Sequence, residues 1–200
     1  MMVFRRHGFR RSSIEQTAEA AGLTRQALYH HFKSKEALFS AVIKRVNDDA
    51  MAAGRAAAEA AEAAGGSLAD IITAMVGARL RQLIASFEGS PYVDELFSEH
   101  LVQARDLYYR YGALYAAQAA ATIEDICRKK KLTLAADMTP SVLTRCIHLS
   151  INGAKSAYPS MQPADAFIRE VDVIVRTLIA GAVIAAKPET SRTTRIGDRK

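Results

Sequence analysis

Apolar residues recur at three- and four-residue spacings along almost the whole chain, and strict apolar–polar alternation is nowhere sustained, so the pattern predicts helices and no strands. Polar punctuation divides them. Ser12 followed by Glu15 has the spacing of a capping box, and Gly22 supplies the left-handed residue that ends the helix so opened. Thr24 caps a second short helix to about His31. Ser34 caps a long third one, on which Leu38, Val42 and Val46 keep one apolar face before an alanine-rich stretch stops at Gly65-Gly66. Further helices are expected from about Leu68 to Ser86, Tyr92 to Ser98 and Leu101 to Lys131, with Glu88-Gly89-Ser90-Pro91 as a breaker between the first two of these. Pro140 follows the cap Thr139 and opens a helix to about Tyr158; a last helix runs from Ala164 to about Ala186. With Val3 and Phe4 read as the end of one more helix at the start, this makes an all-α chain of about nine helices.

Charge then separates a headpiece from a body. Residues 1–45 carry nine Lys or Arg against three Glu, whereas the remaining residues carry 18 of each sign and are neutral. A basic segment on a neutral body suits a polyanion. The division by charge is a polyanion-binding headpiece over 1–45, a neutral body over 46–186, and a basic tail over 187–200, rich in Arg, Thr and Ser and expected to be disordered. Cys127 and Cys146 both fall in apolar helical patterns and read as small buried hydrophobes of a reducing compartment. The longest apolar run, Val173 to Ala186, contains Arg176 and is shorter than the roughly 18–20 residues a bilayer span needs. The start lacks a secretory leader pattern, and a cytoplasmic protein is expected. No metal-ligand spacing, phosphate loop or nucleophile–base arrangement is present, so neither cofactor, metal nor enzymatic activity is expected.

Residues 8–39 hold two short helices around the Gly22 turn, the arrangement that sets a second helix into a DNA major groove. Ile14, Ala18 and Ala21 form the inner face of the first helix, and Leu23, Leu28 and Phe32 the inner side of the second region; His31 is expected to pack beside them. Outward on the second helix stand Arg25, Gln26, Ala27 and Tyr29. Arginine pairs bidentately with guanine, glutamine with adenine, and an alanine methyl touches a thymine methyl. Ser13, Thr24, His30 and Lys35 suit phosphates. The same residues would otherwise form only a solvated face.

The segment resembles the DNA-binding domain of the tetracycline-repressor (TetR) family. The resemblance rests on Gly8-Phe9, Ser12-Ser13, Ala18 to Ala21, Gly22, Leu23, Thr24, Leu28-Tyr29, His31-Phe32, Ser34-Lys35-Glu36 and Leu38. Thr17 stands where that family usually has isoleucine, and its first helix normally begins about a dozen residues before the position of Gly8, where seven stand here. The resemblance implies a homodimer that binds double-stranded DNA and a body that takes a small effector.

The body sequence supports both implications independently. Tyr108, Tyr111 and Tyr115 share one helical stripe, with Tyr109 off it, and read either as ordinary core or as the wall of a cavity for a moderately apolar effector. Met51, Met75, Phe87, Phe97, Cys127 and His148 are candidates to complete that wall, His148 as a polar anchor. Phe167, Val171, Ile174 and Leu178 line one face of the last helix, and Ile168, Val175, Ile179 and Ala182 a second, so this helix needs two partners. Cys146, Leu149 and Gly153 give the preceding helix a matching face. In the resembled family these two helices form a four-helix bundle across the two-fold axis. The function expected is a repressor that binds a palindromic operator as a homodimer and is released by a small molecule. A non-specific DNA-binding protein and a ligand-binding protein with a compromised headpiece remain alternatives.

Overall fold

A computed structural model describes residues 1–184, apart from the side chains of His100 and Leu101. The expected tail over 187–200, and the last residues of the expected final helix, lie outside the described residues. The described chain is all-α but for one short ribbon. Its helices are α1 (Met2–Arg11), α2 (Ile14–Ala20), α3 (Arg25–His31), α4 (Lys35–Ala63), α5 (Leu68–Phe87), α6 (Val93–Gln103), α7 (Arg105–Lys130), α8 (Pro140–Ala157) and α9 (Ala164–Ala182). Strands β1 (Thr133–Leu134) and β2 (Val183–Ile184) pair antiparallel, with Thr133 opposite Ile184. The sequence pattern showed neither strand, because two residues are too few to alternate. The ribbon also ends the last helix at Ala182, earlier than expected, and Ala182 gives its carbonyl to the Ala135 amide at 2.9 Å.

Caps account for most helix starts. Thr24, Ser34, Ser67 and Thr139 each accept a hydrogen bond through the hydroxyl from the amide three residues on. In the first of the headpiece boxes the register is one residue later than expected. Ser13, with Gln16 as its reciprocal partner, closes the capping box, whereas Ser12 is buried and donates its hydroxyl to the Gly8 carbonyl. The register shifts because Ser12 still belongs to the end of α1, where the nearby Gly8 carbonyl takes its hydroxyl. Gly22 has φ +66°, the left-handed turn expected between α2 and α3.

The helices bury two adjoining cores. One gathers Phe4, Phe9, Ile14, Ala18, Leu28, Leu38, Phe39 and Ile43 from the headpiece together with Val46, Phe87, Leu96 and Ala104 from the body. The second fills the body between α5, α7, α8 and α9. Residues 2–7 thus form the first turns of α1 and seat Phe4 among the headpiece aromatics. Ala21 and Leu23, expected inside, are exposed, since α2 closes on the turn before reaching them; His31, expected to pack, is exposed as well, turned toward the His30 ring. α4 passes unbroken from headpiece to body through residue 45 and lies along α5.

α9 resolves its two apolar faces differently from the expectation. Phe167, Val171, Val175, Ile179 and Ala182, at steps of four, four, four and three, face the chain's own core. Phe167 and Val171, at 0% and 2% exposed, are therefore no part of an outer face. Ile174 and Leu178 are half-buried at its edge, and Val173 points outward at 59% exposed. Arg176 fixes this rotation, donating to Asp70 on α5 at 2.8 Å and to Asp172 at 2.9 Å.

Candidate nucleic-acid interface and effector cavity

α3 is held by Leu28, buried on its inner side, and by the Thr24 cap, whose hydroxyl accepts from the Ala27 amide at 3.1 Å. This leaves Arg25, Gln26, Tyr29 and His30 exposed and Ala27 half-buried. Arg25 is steered by two neighbours: its Nε lies 2.8 Å from Glu15 Oε1, and its guanidinium sits 5.3 Å from the centre of the Tyr29 ring. Exposed pairs of this kind are worth little in stability, but they restrict where the guanidinium projects. The residues expected at phosphates divide. Thr24 and His30 are exposed; Ser13 is half-buried and occupied as the α2 cap. Lys35 is turned back onto α1, its ammonium 4.5 Å from the centre of the Phe9 ring and donating to the Arg10 carbonyl at 3.2 Å.

Polar contacts tie α1 to α6 and to the turn before it. The Arg10 amide donates to Glu95 at 2.8 Å, the Arg10 guanidinium to Glu99 at 3.0 Å, and Ser90 donates to the Arg5 carbonyl at 2.7 Å. Glu99 is buried, so its carboxylate needs the Arg10 partner.

Within the body lies a cavity of about 670 Å³, inside the size range of small-molecule sites. Phe87, Phe97, Tyr108, Tyr111, Tyr115 and His148 line it, six residues expected from sequence. Met75 does not; it is buried in the body core, and Met51 and Cys127 pack against that same core. Tyr109, off the helical stripe, lines the cavity as well. Leu149, assigned to a dimer face, stands at the cavity rim and is 63% exposed. Cys146 is half-buried, and Gly153 is exposed with no other atoms near the place of a Cβ.

Several lining residues were not foreseen: Asn47, Arg79, Asn152 and Lys155 above all. A usable signal existed for Lys155, which follows His148 by seven positions on the same helix and so shares its face. Arg79 gave none, since the other arginine of its helix, Arg81, faces outward. The Arg79 guanidinium lies 4.2 Å from the centre of the Tyr115 ring. Burial pulls its pKa down, opposed by the Tyr115 and Tyr108 phenols. Burial, with Arg79 next, pushes the Lys155 ammonium down from 10.5 to about 8. Burial and then the charges of Lys155 and Arg79 lower His148. Tyr115 is pushed up to about 12 by burial, and its hydroxyl is buried without a hydrogen-bond partner. Tyr111 is raised to about 12 by burial first and then by donating to Asp48, which joins α7 to α4.

A pH dependence follows from Lys155. With its folded-state pKa at about 8 against 10.5 unfolded, the unfolded chain binds more protons between these values. The stability that Lys155 withholds below pH 8 is therefore regained as pH rises toward 10.5. Lys155→Met is expected to stabilise the unliganded protein by about 1–2 kcal/mol at neutral pH, with cavity water screening the rest, and the difference from wild type should shrink across pH 8–10. Denaturant midpoints measured at pH 7, 8.5 and 10 check it; a difference independent of pH contradicts it.

Residues 1–42 match the family model of bacterial regulatory proteins, tetR family. The whole chain shares its fold with solved structures of low sequence identity. A crystal structure from Mesorhizobium loti, named for the TetR family of transcriptional regulators, is 18% identical, with 92% of each chain covered and a TM-score of 0.65. PfmR, a TetR-family transcriptional regulator from Thermus thermophilus, is 20% identical over 88% of this chain and 93% of its own, with a TM-score of 0.52. SmeT, the repressor of the Stenotrophomonas maltophilia multidrug efflux pump SmeDEF, is 20% identical over 92% of this chain and 86% of its own, at a TM-score of 0.51. At these identities the likeness is one of fold. The headpiece thus matches the family model of tetR-family bacterial regulatory proteins over residues 1–42, and the whole chain shares its fold with proteins named for that family.

Proposed function

We propose that this protein is a cytoplasmic transcriptional repressor, without enzymatic activity, that binds a palindromic operator as a homodimer and leaves it when a small molecule enters the body cavity. Residues 1–45 would read DNA, and residues 46–184 would hold effector and partner. Arg25, Gln26, Ala27 and Tyr29 are assigned to base edges, and Thr24 and His30, with Ser13 and Lys35 behind them, to phosphates. The observation that carries the effector reading is the position of Phe87 and Phe97. Both line the cavity; Phe87 belongs to the headpiece core and Phe97 packs against it, their ring centres 4.6 Å apart. An occupant that displaces them acts on α6, and α6 is hydrogen-bonded to α1. α4 offers a parallel route, since Asn47 lines the cavity two turns beyond Phe39. A coupling of about 1–3 kcal/mol between the sites suffices for regulation. The SmeT precedent, a repressor of this fold, supports repression as the sense of the switch.

For the partner we assign the outward side of α8 and α9, namely Leu149 and Gly153 with Cys146 at the edge, and Val173 with Ile174 and Leu178. These are exposed or half-buried residues without a charge among them. A two-fold pairing there would set two copies of α3 about one helical turn of DNA apart.

Mobility shifts on the DNA flanking the protein's own gene test the DNA assignment. Arg25→Ala and Gln26→Ala are each expected to lose about 1–3 kcal/mol on the operator and little on random duplex. His30→Ala should weaken both alike. Equal loss on both duplexes for all three variants would remove base readout from α3 and leave a non-specific DNA-binding protein.

A further inference from the structure

The cavity is asymmetric in charge. Arg79, His148 and Lys155 line it, and none of its lining residues is Asp or Glu. Among the described residues no carboxylate lies within ion-pair distance of Arg79 or Lys155, although ion pairs are made freely elsewhere in the body, as by Arg176 with Asp70 and Lys129 with Glu62. The carboxylates closest in connection to the wall are engaged: Asp48 with Lys44 and Tyr111, Asp94 with Ser160. Among the described residues the Lys155 ammonium donates to a neutral group, the side-chain amide oxygen of Asn152, at 3.3 Å. Arg79 has the Tyr115 ring, whose own hydroxyl is buried without a partner. Charged groups removed from water require a counter-charge or they are costly, and a protein that places a lysine and an arginine end in one cavity without a carboxylate leaves that counter-charge to a ligand.

The cationic groups lie near one another, Lys155 feeling the charge of Arg79 and His148 that of both. On α5, Arg79, Leu83 and Phe87 follow one another at four-residue steps and all line the cavity, so the wall runs from guanidinium to phenyl over roughly 12 Å. On α8, His148, Asn152 and Lys155 present the matching polar row. Phe97 closes the apolar end against Phe87.

We infer that the effector is a hydrophobic organic anion, a carboxylate in the simplest case. Its head group lies between Arg79 and Lys155, with Asn152 and the Tyr115 hydroxyl as further donors, and its apolar body of roughly 12 Å extends toward Phe87 and Phe97. This rests on the effector reading above and adds the chemical class. It also gives the switch a direction, since the end of the ligand that reaches Phe97 is the apolar one.

Decanoate, decan-1-ol and decylammonium share one chain and differ in head-group charge, so their binding to the full chain by titration calorimetry at pH 7 tests the inference. Decanoate is expected to bind at least about tenfold more tightly than decan-1-ol, and decylammonium most weakly. Lys155→Met and Arg79→Met should each bring the decanoate-to-decanol ratio toward one. Because Arg79→Met could fold poorly, the wild-type ranking stands as a test by itself. Equal binding of decanoate and decan-1-ol by the wild type overturns the anion assignment and leaves the cavity as an effector site. Binding of none of the three at millimolar concentration overturns both. A ratio unchanged in both folded variants places the anion elsewhere and also overturns the inference.

Discussion

Phe39→Ala is expected to lower stability by about 3–5 kcal/mol and to abolish operator binding at moderate temperature. Phe39 is 0% exposed and sits at the junction of the headpiece. Its ring centre lies 5.1 Å from that of Phe4, edge-on, and 4.9 Å from that of Phe9. Removing the ring leaves a cavity that α1 cannot close, because Phe4 and Phe9 are fixed to a helix whose far side is hydrogen-bonded to α6. The loss should be selective. Thermal unfolding of the variant should show the headpiece melting ahead of the body, whose separate core keeps its contacts. A variant within about 1 kcal/mol of wild type would mean that α1 contributes little to the headpiece.

Gly8→Ala has the second largest expected effect, a loss of about 2–4 kcal/mol. Gly8 has φ +75° and ψ 172° in the middle of α1, a conformation open essentially to glycine alone. A Cβ there would stand 2.8 Å from Glu95 Oε1, the oxygen that accepts from the Arg10 amide. Backbone strain and displacement of the carboxylate therefore act together. They can be separated: in a Glu95→Ala background the same substitution should cost less, because only the strain remains. The readouts are the headpiece melting transition and the operator affinity of each variant. Equal costs in both backgrounds would show that Glu95 moves aside freely and that α1 is not clamped to α6 through it.

The headpiece was largely legible from sequence because its determinants are local. Thr24 and Ser34 cap helices through amides three residues away, and Gly22 turns the chain by its own backbone freedom. Even the misplaced box, Ser12 for Ser13, was an error of one residue, caused by the Gly8 carbonyl, whose claim on the Ser12 hydroxyl only the folded end of α1 reveals. Lys35 was harder. Its position at a helix start suited a phosphate, and nothing in the pattern disclosed that Phe9, far back in the chain, would lie beneath its ammonium.

In the body the tyrosine stripe of α7 led to the cavity, since residues at steps of three and four must share a side. The stripe could not say what lies opposite. Arg79 on α5 and Lys155 on α8 meet across that space because of the way three helices pack, and one-dimensional spacing has no access to such a distance.

The chain's own pattern determined the helices, their caps, the basic headpiece and the identity of the outward residues on α3, because each depends on neighbours within a turn or two. Tertiary structure alone decided how each helix is rotated. α9 carried two apolar faces, and packing drew its inner side from both, Phe167 and Val171 from one with Val175, Ile179 and Ala182 from the other, with Arg176 locked to Asp70. The same packing gathered cations without carboxylate partners into one cavity, since which charges share a volume is settled by the space between helices and not by order along the chain.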